Sequence, residues 1–217
     1  MVSYVIVSLF RHFRREGKVL NISLRSQQEH LIVSSTLYKP LLKRRSTGIL
    51  MVRVSPRDRL KALVQFGPLP FQAALGRGGV TSFKREGDGG TPRARMAVLS
   101  GFRKGGMLTP DRAGLKLRRV GGRDGWCDAP GHGRYNRPVR LPFPASHETL
   151  LRNDVLYDFG FVLDWNIRSR RRGMGSAIFL HVAKPGFPPT EGCIALKRGD
   201  MLRLMPLIRR GTVVRVV

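Results

Sequence analysis

Acidic residues are scarce in this chain. Its 217 residues include 14 Asp and Glu against 40 Lys and Arg, which gives a formal net charge of +26 and an isoelectric point near 11.7. Such a balance attracts polyanions through long-range electrostatics, so nucleic acid, anionic lipid and the acidic polymers of a cell envelope are all candidate partners. Most of the excess is scattered arginine, which is more typical of a solvated surface than of a nucleic-acid reading head.

Cysteine is almost absent, since Cys127 and Cys193 are the only two. They allow one disulfide at most, and a reactive Cys193 argues against a permanent bridge. We therefore interpret Cys127 as a packed structural thiol, with a regulatory disulfide as the alternative. A zinc site built from both cysteines with His132 and His181 lacks the C-x2–4-C or H-x3–5-H spacing of structural zinc sites, so we expect no metal.

Long hydrophobic runs are also missing. The apolar segment Met1–Phe10 is too short to span a bilayer. The charges of Arg11–Arg15 follow this segment, which reverses the order of a secretory signal, and no small-residue cleavage site is nearby. We interpret residues 1–50 as a poorly ordered N-terminal extension upstream of a true start near Met51. A native protein that begins at Met1 and resists trimming there would contradict this interpretation.

The glycine-rich run Glu86–Gly90 lacks the Gly-Lys-Ser/Thr of a phosphate-binding loop. It therefore predicts a hairpin turn rather than a nucleotide site.

The remaining pattern is that of short strands and turns. A chain of this length with 41% hydrophobic residues can bury a substantial core in one or at most two domains. Many short strands with few helices predict a mainly β domain. The predicted elements are strands at Val52–Val54, Leu63–Phe66, Tyr157–Trp165, Ala177–Val182 and Thr212–Val217, and helices at Asp200–Ile208 and, as one turn over a cleft, Glu148–Asp154. The strand Ala177–Val182 is apolar on both faces until His181, which suits a central strand.

The chemistry is concentrated where this strand ends. His181 closes the run Gly175–His181, a proline-rich loop follows, and Cys193 stands in Pro189–Leu196. This order can bring an imidazole beside a thiol, and a thiol is a weak nucleophile until a neighbouring base removes its proton and the imidazolium stabilises the anion. The alternatives are an inert buried cysteine and a histidine that caps a strand.

Gly192 supports the chemical interpretation. Because it lacks Cβ, the backbone can turn sharply there and bring N–H groups close to a substrate carbonyl. The amides of Cys193 and its neighbours are thus candidates for an oxyanion hole.

These residues resemble the catalytic region of the L,D-transpeptidase family, also called YkuD-like. Its signature runs from a His at the end of a strand to Ser/Thr-His-Gly-Cys. By position, His181 matches the general base, Thr190 the Ser/Thr, Gly192 the Gly and Cys193 the nucleophile. The resemblance further implies that the backbone carbonyl of Val182 orients the base.

Two positions depart from the family pattern. Glu191 stands where the common motif has a second His, and Ala195 where Arg is frequent. The resemblance extends over residues 51–217 through weaker matches at Lys84–Pro92, Asp124–Asp128, Tyr135–Pro138 and Leu141–His147. It implies a β-sandwich-like catalytic domain with a few short helices, from a divergent branch of the family.

The activity implied by the resemblance is cleavage and transfer of peptidoglycan stem peptides, without metal or organic cofactor, in the periplasm or cell envelope. Gly192, Thr190, Glu191, Ser176 and Arg172 are the expected oxyanion or substrate contacts. Arg172 belongs to the cluster Arg168–Arg172, which would bind a stem carboxylate or else form a charged surface hairpin. The alternative functions are an L,D-carboxypeptidase, a basic nucleic-acid-binding protein, which we regard as the less favoured, and an inactive envelope-binding module.

Overall fold

A computed structural model describes residues 48–106 and 114–217, and in them the chain is mainly β, as predicted. Fourteen strands and a single helix make up the described part. The strands are β1 (Ile49–Ser55), β2 (Asp58–Phe66), β3 (Leu69–Ala74), β4 (Val80–Thr81), β5 (Thr91–Pro92), β6 (Arg95–Lys104), β7 (Leu117–Val120), β8 (Asp124–Cys127), β9 (Arg137–Arg140), β10 (His147–Thr149), β11 (Phe159–Leu163), β12 (Phe179–Val182), β13 (Ile194–Leu196) and β14 (Val213–Val216). The helix is α1 (Arg198–Leu204).

Nine strands form the main sheet, in the order β11, β12, β13, β3, β2, β1, β14, β6, β7. A further pairing of β6 with β11 joins the two sides of this sheet. The sheet therefore closes on itself, and β7 continues from β6 outside the ring. A closed ring leaves few unpaired edges and lets opposite strands pack across one core.

The core explains why β11 and β12 are apolar throughout. Every residue of both strands is buried, including Phe159, Phe161 and Leu180 at 0% exposure. β12 lies between β11, which runs antiparallel to it, and β13, which runs parallel. This confirms the prediction of a central strand, although the strand begins at Phe179 rather than Ala177.

The predicted C-terminal helix begins and ends earlier than expected. It spans Arg198–Leu204 instead of Asp200–Ile208 and buries Met201 and Leu204. Pro206 accounts for the early end, because proline has no N–H to continue the helical hydrogen bonds. Ile208 is still fully buried in the core.

Two other predictions are wrong. Glu86–Gly90 is not a hairpin turn, because the strands that it connects, β4 and β5, run parallel. Glu148–Asp154 is not a helical turn either, because Glu148 and Thr149 belong to β10, which pairs with β8.

The start of the domain lies slightly upstream of the predicted boundary. Ile49 and Leu50 are the first residues of β1, and Leu50 is fully buried. The rest of the predicted extension, residues 1–47, lies outside the described residues. Within the described ranges, no helix has the length and apolar character needed to cross a membrane.

Candidate active site

Two neighbouring strands bring His181 and Cys193 to one face of the sheet. His181 in β12 pairs with Ala195 in β13. Residues paired across neighbouring strands point to the same face, and so do residues two apart along a strand. Cys193 lies immediately before β13 and belongs to the same buried cluster as Phe179, which is two residues before His181 in β12 and shares its face. Both side chains are buried, with 8% exposure for Cys193 and 3% for His181.

Backbone groups hold the sulfur. The N–H of Phe179 donates to Cys193 Sγ at 3.3 Å, and Sγ lies 3.2 Å from the carbonyl oxygen of Ala177, to which the thiol donates. Among the described residues, no hydrogen bond joins this sulfur to His181. The thiol–imidazole hydrogen bond expected from the sequence is therefore not formed in this conformation, in which the thiol donates to the Ala177 carbonyl instead.

Burial keeps both groups neutral. It raises the pKa of the Cys193 thiol to about 12, against a smaller opposite effect of the Phe179 amide. It also lowers the pKa of His181 to about 4, partly opposed by the Val182 carbonyl. The structure therefore favours a neutral thiol beside a neutral imidazole, rather than the ion pair expected from the sequence. A neutral imidazole is the form that can accept a proton.

The imidazole is oriented by the chain that follows it. His181 Nδ1 lies 2.8 Å from the carbonyl oxygen of Val182. Since a carbonyl only accepts, this contact assigns the proton of the neutral ring to Nδ1, so Nε2 is the unprotonated nitrogen. The contact is the one that the family resemblance implies for Val182.

Tyr157, which was not among the predicted site residues, also packs against the imidazole. Its ring lies 5.4 Å from that of His181 at an interplanar angle of 88°. Burial, followed by the neighbouring Cys193, raises the pKa of Tyr157. Tyr157 thus packs beside both members of the pair. The signal available in the sequence was the position of Tyr157 just before the apolar strand β11, because residues at the start of a central strand contact the neighbouring strand.

Behind Tyr157 stands an ion-pair network. The guanidinium carbon of Arg152 lies 5.5 Å from the Tyr157 ring centroid. Arg152 donates to Glu148 at 2.9 Å and to both carboxylate oxygens of Asp154 at 3.0 Å. The hydrogen bonds from Arg152 lower the pKa of Asp154 to about 2. The segment Glu148–Asp154 therefore lies near Tyr157 as the end of β10 and the charged bend that follows it.

Thr190 stabilises the loop before Cys193 through two hydrogen bonds. Its hydroxyl donates to the Cys193 carbonyl at 2.7 Å and accepts from the Gly192 N–H at 3.2 Å. Gly192 has a φ of +126°, and a Cβ there would lie 2.8 Å from the carbonyl oxygen of Gly90. Only glycine fits this turn. Because Thr190 already occupies the Gly192 amide, that amide is not free to bind an oxyanion here.

Glu191, the departure from the family motif, points to solvent. Its carboxylate lies 2.8 Å from Nε of Arg77, and the two side chains are 76% and 56% exposed. Such an exposed pair contributes little to stability. The structure places Glu191 on the rim of the site rather than against the sulfur.

The glycine-rich loop supports Gly192 from behind. Lys84 is 2% exposed and lies 2.5 Å from Asp88, whose carboxylate also accepts the Gly90 N–H at 2.7 Å. The buried Thr91 hydroxyl accepts from the Gly76 N–H at 2.8 Å. In the sequence, Lys84 is notable only as the first residue of the family match Lys84–Pro92. Its charge does not predict a buried ion pair.

Ser176 and Arg172 differ in their placement. Ser176 is 7% exposed, and its Oγ has no hydrogen-bond partner within the described part of the chain. It precedes Ala177, whose carbonyl accepts from the Cys193 thiol. Arg172 is exposed in the loop between β11 and β12, away from any ion pair in the described ranges.

Neither metal binding nor a disulfide emerges from the described residues. Cys127 and Cys193 are both free and buried. Within these residues, no group of three or more His, Cys, Asp or Glu side chains is arranged to hold a metal ion. Two surface cavities, of about 300 and 320 Å³, are not lined by Cys193 or His181, although Val182 lines the larger one.

The family whose model matches this chain is the one that the residues around Cys193 resemble. The family model of the L,D-transpeptidase catalytic domain matches residues 51–216. A search of curated proteins found no match.

Solved structures that the chain matches include L,D-transpeptidases of mycobacteria. An L,D-transpeptidase from Mycobacterium smegmatis is 13% identical, with a TM-score of 0.40, and the match covers 79% of this chain and 58% of that one. L,D-transpeptidase 3 from Mycobacterium tuberculosis is 15% identical, with a TM-score of 0.39 and coverage of 79% and 61%. The chain thus spans about three fifths of the length of these proteins. With the family model matched over nearly all of residues 51–217, the chain belongs to the L,D-transpeptidase catalytic domain family.

Proposed function

We propose that the protein is a peptidoglycan L,D-transpeptidase that uses Cys193 as its nucleophile and His181 as its general base. The observation that carries this proposal is the neutral pair on one face of β12 and β13, with Nδ1 of His181 fixed by the Val182 carbonyl. This arrangement leaves the free nitrogen of the ring to accept a proton. Membership of the L,D-transpeptidase family supports the same reaction class.

The first step forms an acyl-enzyme. For this step the thiol turns from the Ala177 carbonyl towards the imidazole. His181 Nε2 then accepts the thiol proton as the sulfur attacks the carbonyl of the third stem residue, a diamino acid such as meso-diaminopimelate. The bond to the terminal D-amino acid then breaks, and the imidazolium returns the proton to the leaving amine. Because both groups are neutral at rest, proton transfer accompanies the attack instead of preceding it.

The second step resolves the thioester. An amine of a second stem attacks the carbonyl, the sulfur leaves, and a 3→3 cross-link forms. Water at this step would give the L,D-carboxypeptidase outcome. The thiol and the base supply the nucleophile and the proton transfers of these steps, and the amide of Cys193 is the remaining candidate donor to the oxyanion, since the Gly192 amide donates to Thr190.

The proposed location is the periplasm or cell envelope, where the substrate lies. The net charge of +26 supports attraction to the anionic polymers found there. Nucleic-acid binding is the competing explanation of the charge, and it predicts steeply salt-dependent DNA or RNA binding that survives Cys193→Ala.

The test is a product analysis with a defined stem tetrapeptide that ends in D-alanine. We expect release of D-alanine together with a cross-linked dimer, and loss of both in Cys193→Ala and His181→Ala. A tripeptide without dimer would assign the carboxypeptidase activity instead. Intact tetrapeptide after incubation with the wild type would contradict the proposal.

A further inference from the structure

Three arginines, two on loops and one at the start of β9, lie close together. Arg170 Nη1 lies 3.5 Å from the carbonyl oxygen of Gly133, and Arg134 Nη2 lies 3.4 Å from that of Pro138. Gly133 adjoins Arg134, and Pro138 adjoins Arg137. These contacts bring Arg134, Arg137 and Arg170 together as one arginine cluster. Burial, followed by the charges of Arg170 and Arg134, lowers the pKa of Arg137, as expected for neighbouring cations.

No carboxylate neutralises the arginine cluster. In the described ranges, none of its three members forms an ion pair with Asp or Glu. Glu86, on the glycine-rich loop, accepts from the Tyr135 hydroxyl at 2.5 Å instead. Asp128 has a buried carboxylate oxygen without a hydrogen-bond partner among the described residues, and it lies beyond ion-pair distance of the cluster. Like charges held together without a counter-ion favour an anionic ligand.

The backbone that holds the cluster is strained. Arg170 has a φ of +44° and Asn136, which precedes Arg137, a φ of +54°. This left-handed region is uncommon for residues other than glycine, and such conformations concentrate at functional sites. The strain therefore marks both sides of the cluster as positions fixed by their surroundings.

Asn136 connects the arginine cluster to the nucleophile. Its Oδ1 accepts from Trp126 Nε1 at 3.0 Å and from the Ala177 N–H at 3.2 Å. The carbonyl of Ala177 in turn accepts from the Cys193 thiol. The backbone at Asn136, which precedes Arg137, is therefore linked to Cys193 through a chain of hydrogen bonds.

We propose that the arginine cluster binds a side carboxylate of the stem peptide whose scissile carbonyl lies at Cys193. Guanidinium groups bind carboxylates through paired hydrogen bonds in a fixed geometry, which suits recognition of one group on a short peptide. The inference rests on the proposed function. It adds a specificity: stem peptides with free carboxylates are preferred over those in which these carboxylates are amides.

Equilibrium binding to the Cys193→Ser protein tests the preference without turnover. The two probes are a stem tetrapeptide with free carboxylates and the same peptide with the carboxylates of its second and third residues amidated. We expect the free form to bind about tenfold more tightly, because hydrogen bonds between charged groups are lost on amidation. Added Arg137→Gln should abolish the difference, and Arg137→Lys should restore part of it.

Arg95→Gln is the matched control, since Arg95 is an exposed arginine on β6 and should leave the preference unchanged. Arg134→Gln gives an independent variant should Arg137→Gln fold poorly. Equal binding of both peptides, or no measurable binding of the free form, would overturn the inference. Equal peptide binding with weakened retention on heparin would assign the cluster to polyanions in general, which also overturns it.

The two proposals fail separately. If the protein binds the free-carboxylate peptide more tightly but is never acylated, the inference about the arginine cluster stands and the proposed function is refuted. If both peptides acylate the wild type and bind with equal affinity, the proposed function stands and the inference about the arginine cluster is refuted.

Discussion

The rings of Tyr157 and His181 lie 5.4 Å apart and nearly perpendicular, and the same imidazole is hydrogen-bonded to the Val182 carbonyl. Aromatic pairs in this edge-to-face geometry attract each other beyond their buried area. The position of the base is therefore set from two sides by residues outside the Thr-x-Gly-Cys motif.

Loss of the Tyr157 ring should displace His181. We expect Tyr157→Ala to lower the free energy of unfolding by about 3–5 kcal/mol, as for other large aromatic truncations in cores. Tyr157→Leu should retain the fold but slow acylation of Cys193, whereas Tyr157→Phe should keep both. Urea unfolding and the acylation rate per folded molecule measure the two effects. Normal acylation in Tyr157→Leu would show that the ring does not position the base.

Arg152 should control the acid stability of its network. The ordinary pKa of Asp154 is 3.8, and the hydrogen bonds from Arg152 lower it to about 2 in the folded protein. The resulting stability is present above pH 3.8 and is lost as the pH falls towards 2. Arg152→Gln should raise the pKa of Asp154 and flatten this loss.

NMR titration of the Asp154 carboxyl checks this prediction directly. Arg215→Gln is the control, because Arg215 is an exposed arginine on β14. An unchanged Asp154 pKa in Arg152→Gln would contradict the network described here.

The buried His181 should make the protein sensitive to mild acid. Its pKa is about 4 in the folded protein against an ordinary 6.5, since burial disfavours the charged ring. Its neutral form therefore supports folding fully above pH 6.5, and this support declines as the pH falls towards 4, by on the order of 3 kcal/mol. Comparison of urea unfolding at pH 7 and pH 4 for the wild type and His181→Gln isolates this contribution. Parallel curves for the two proteins would show that His181 is not buried as described.

Glycine should be required at position 192. Its φ of +126° and the approach of a Cβ to 2.8 Å from the Gly90 carbonyl predict that Gly192→Ala costs about 1–3 kcal/mol and displaces Cys193. Gly131→Ala is the matched control, because nothing lies within 4 Å of a Cβ there. Thermal unfolding of both variants measures the cost. Equal midpoints would mean that the turn before Cys193 adapts without strain.

The mainly β fold and the central strand could be predicted from the sequence, because the pattern of hydrophobic residues along a strand follows which of its faces are buried. The sequence also placed Cys193, His181 and the tight turn at Gly192 in one region, since these depend on residue type and local spacing. Arg152 and Lys84 were not predictable in this way. Their roles arise from partners that the closed sheet and its loops bring together, such as Tyr157 for Arg152.

The protonation states of Cys193 and His181 were also not predictable from the sequence. A nearby histidine predicts an ionised cysteine, but burial of both groups reverses this expectation by raising one pKa and lowering the other. Desolvation depends on how completely the closed fold covers the two side chains, and spacing along the chain does not contain that information.

Intact-mass analysis after incubation with a carbapenem, a mimic of the acylating end of the stem, tests the nucleophile most directly. We predict one covalent adduct on the wild type and on Cys127→Ala, and its loss in both Cys193→Ala and His181→Ala. An unmodified wild type, or an adduct that persists in Cys193→Ala, would contradict the assignment of Cys193 as the attacking group.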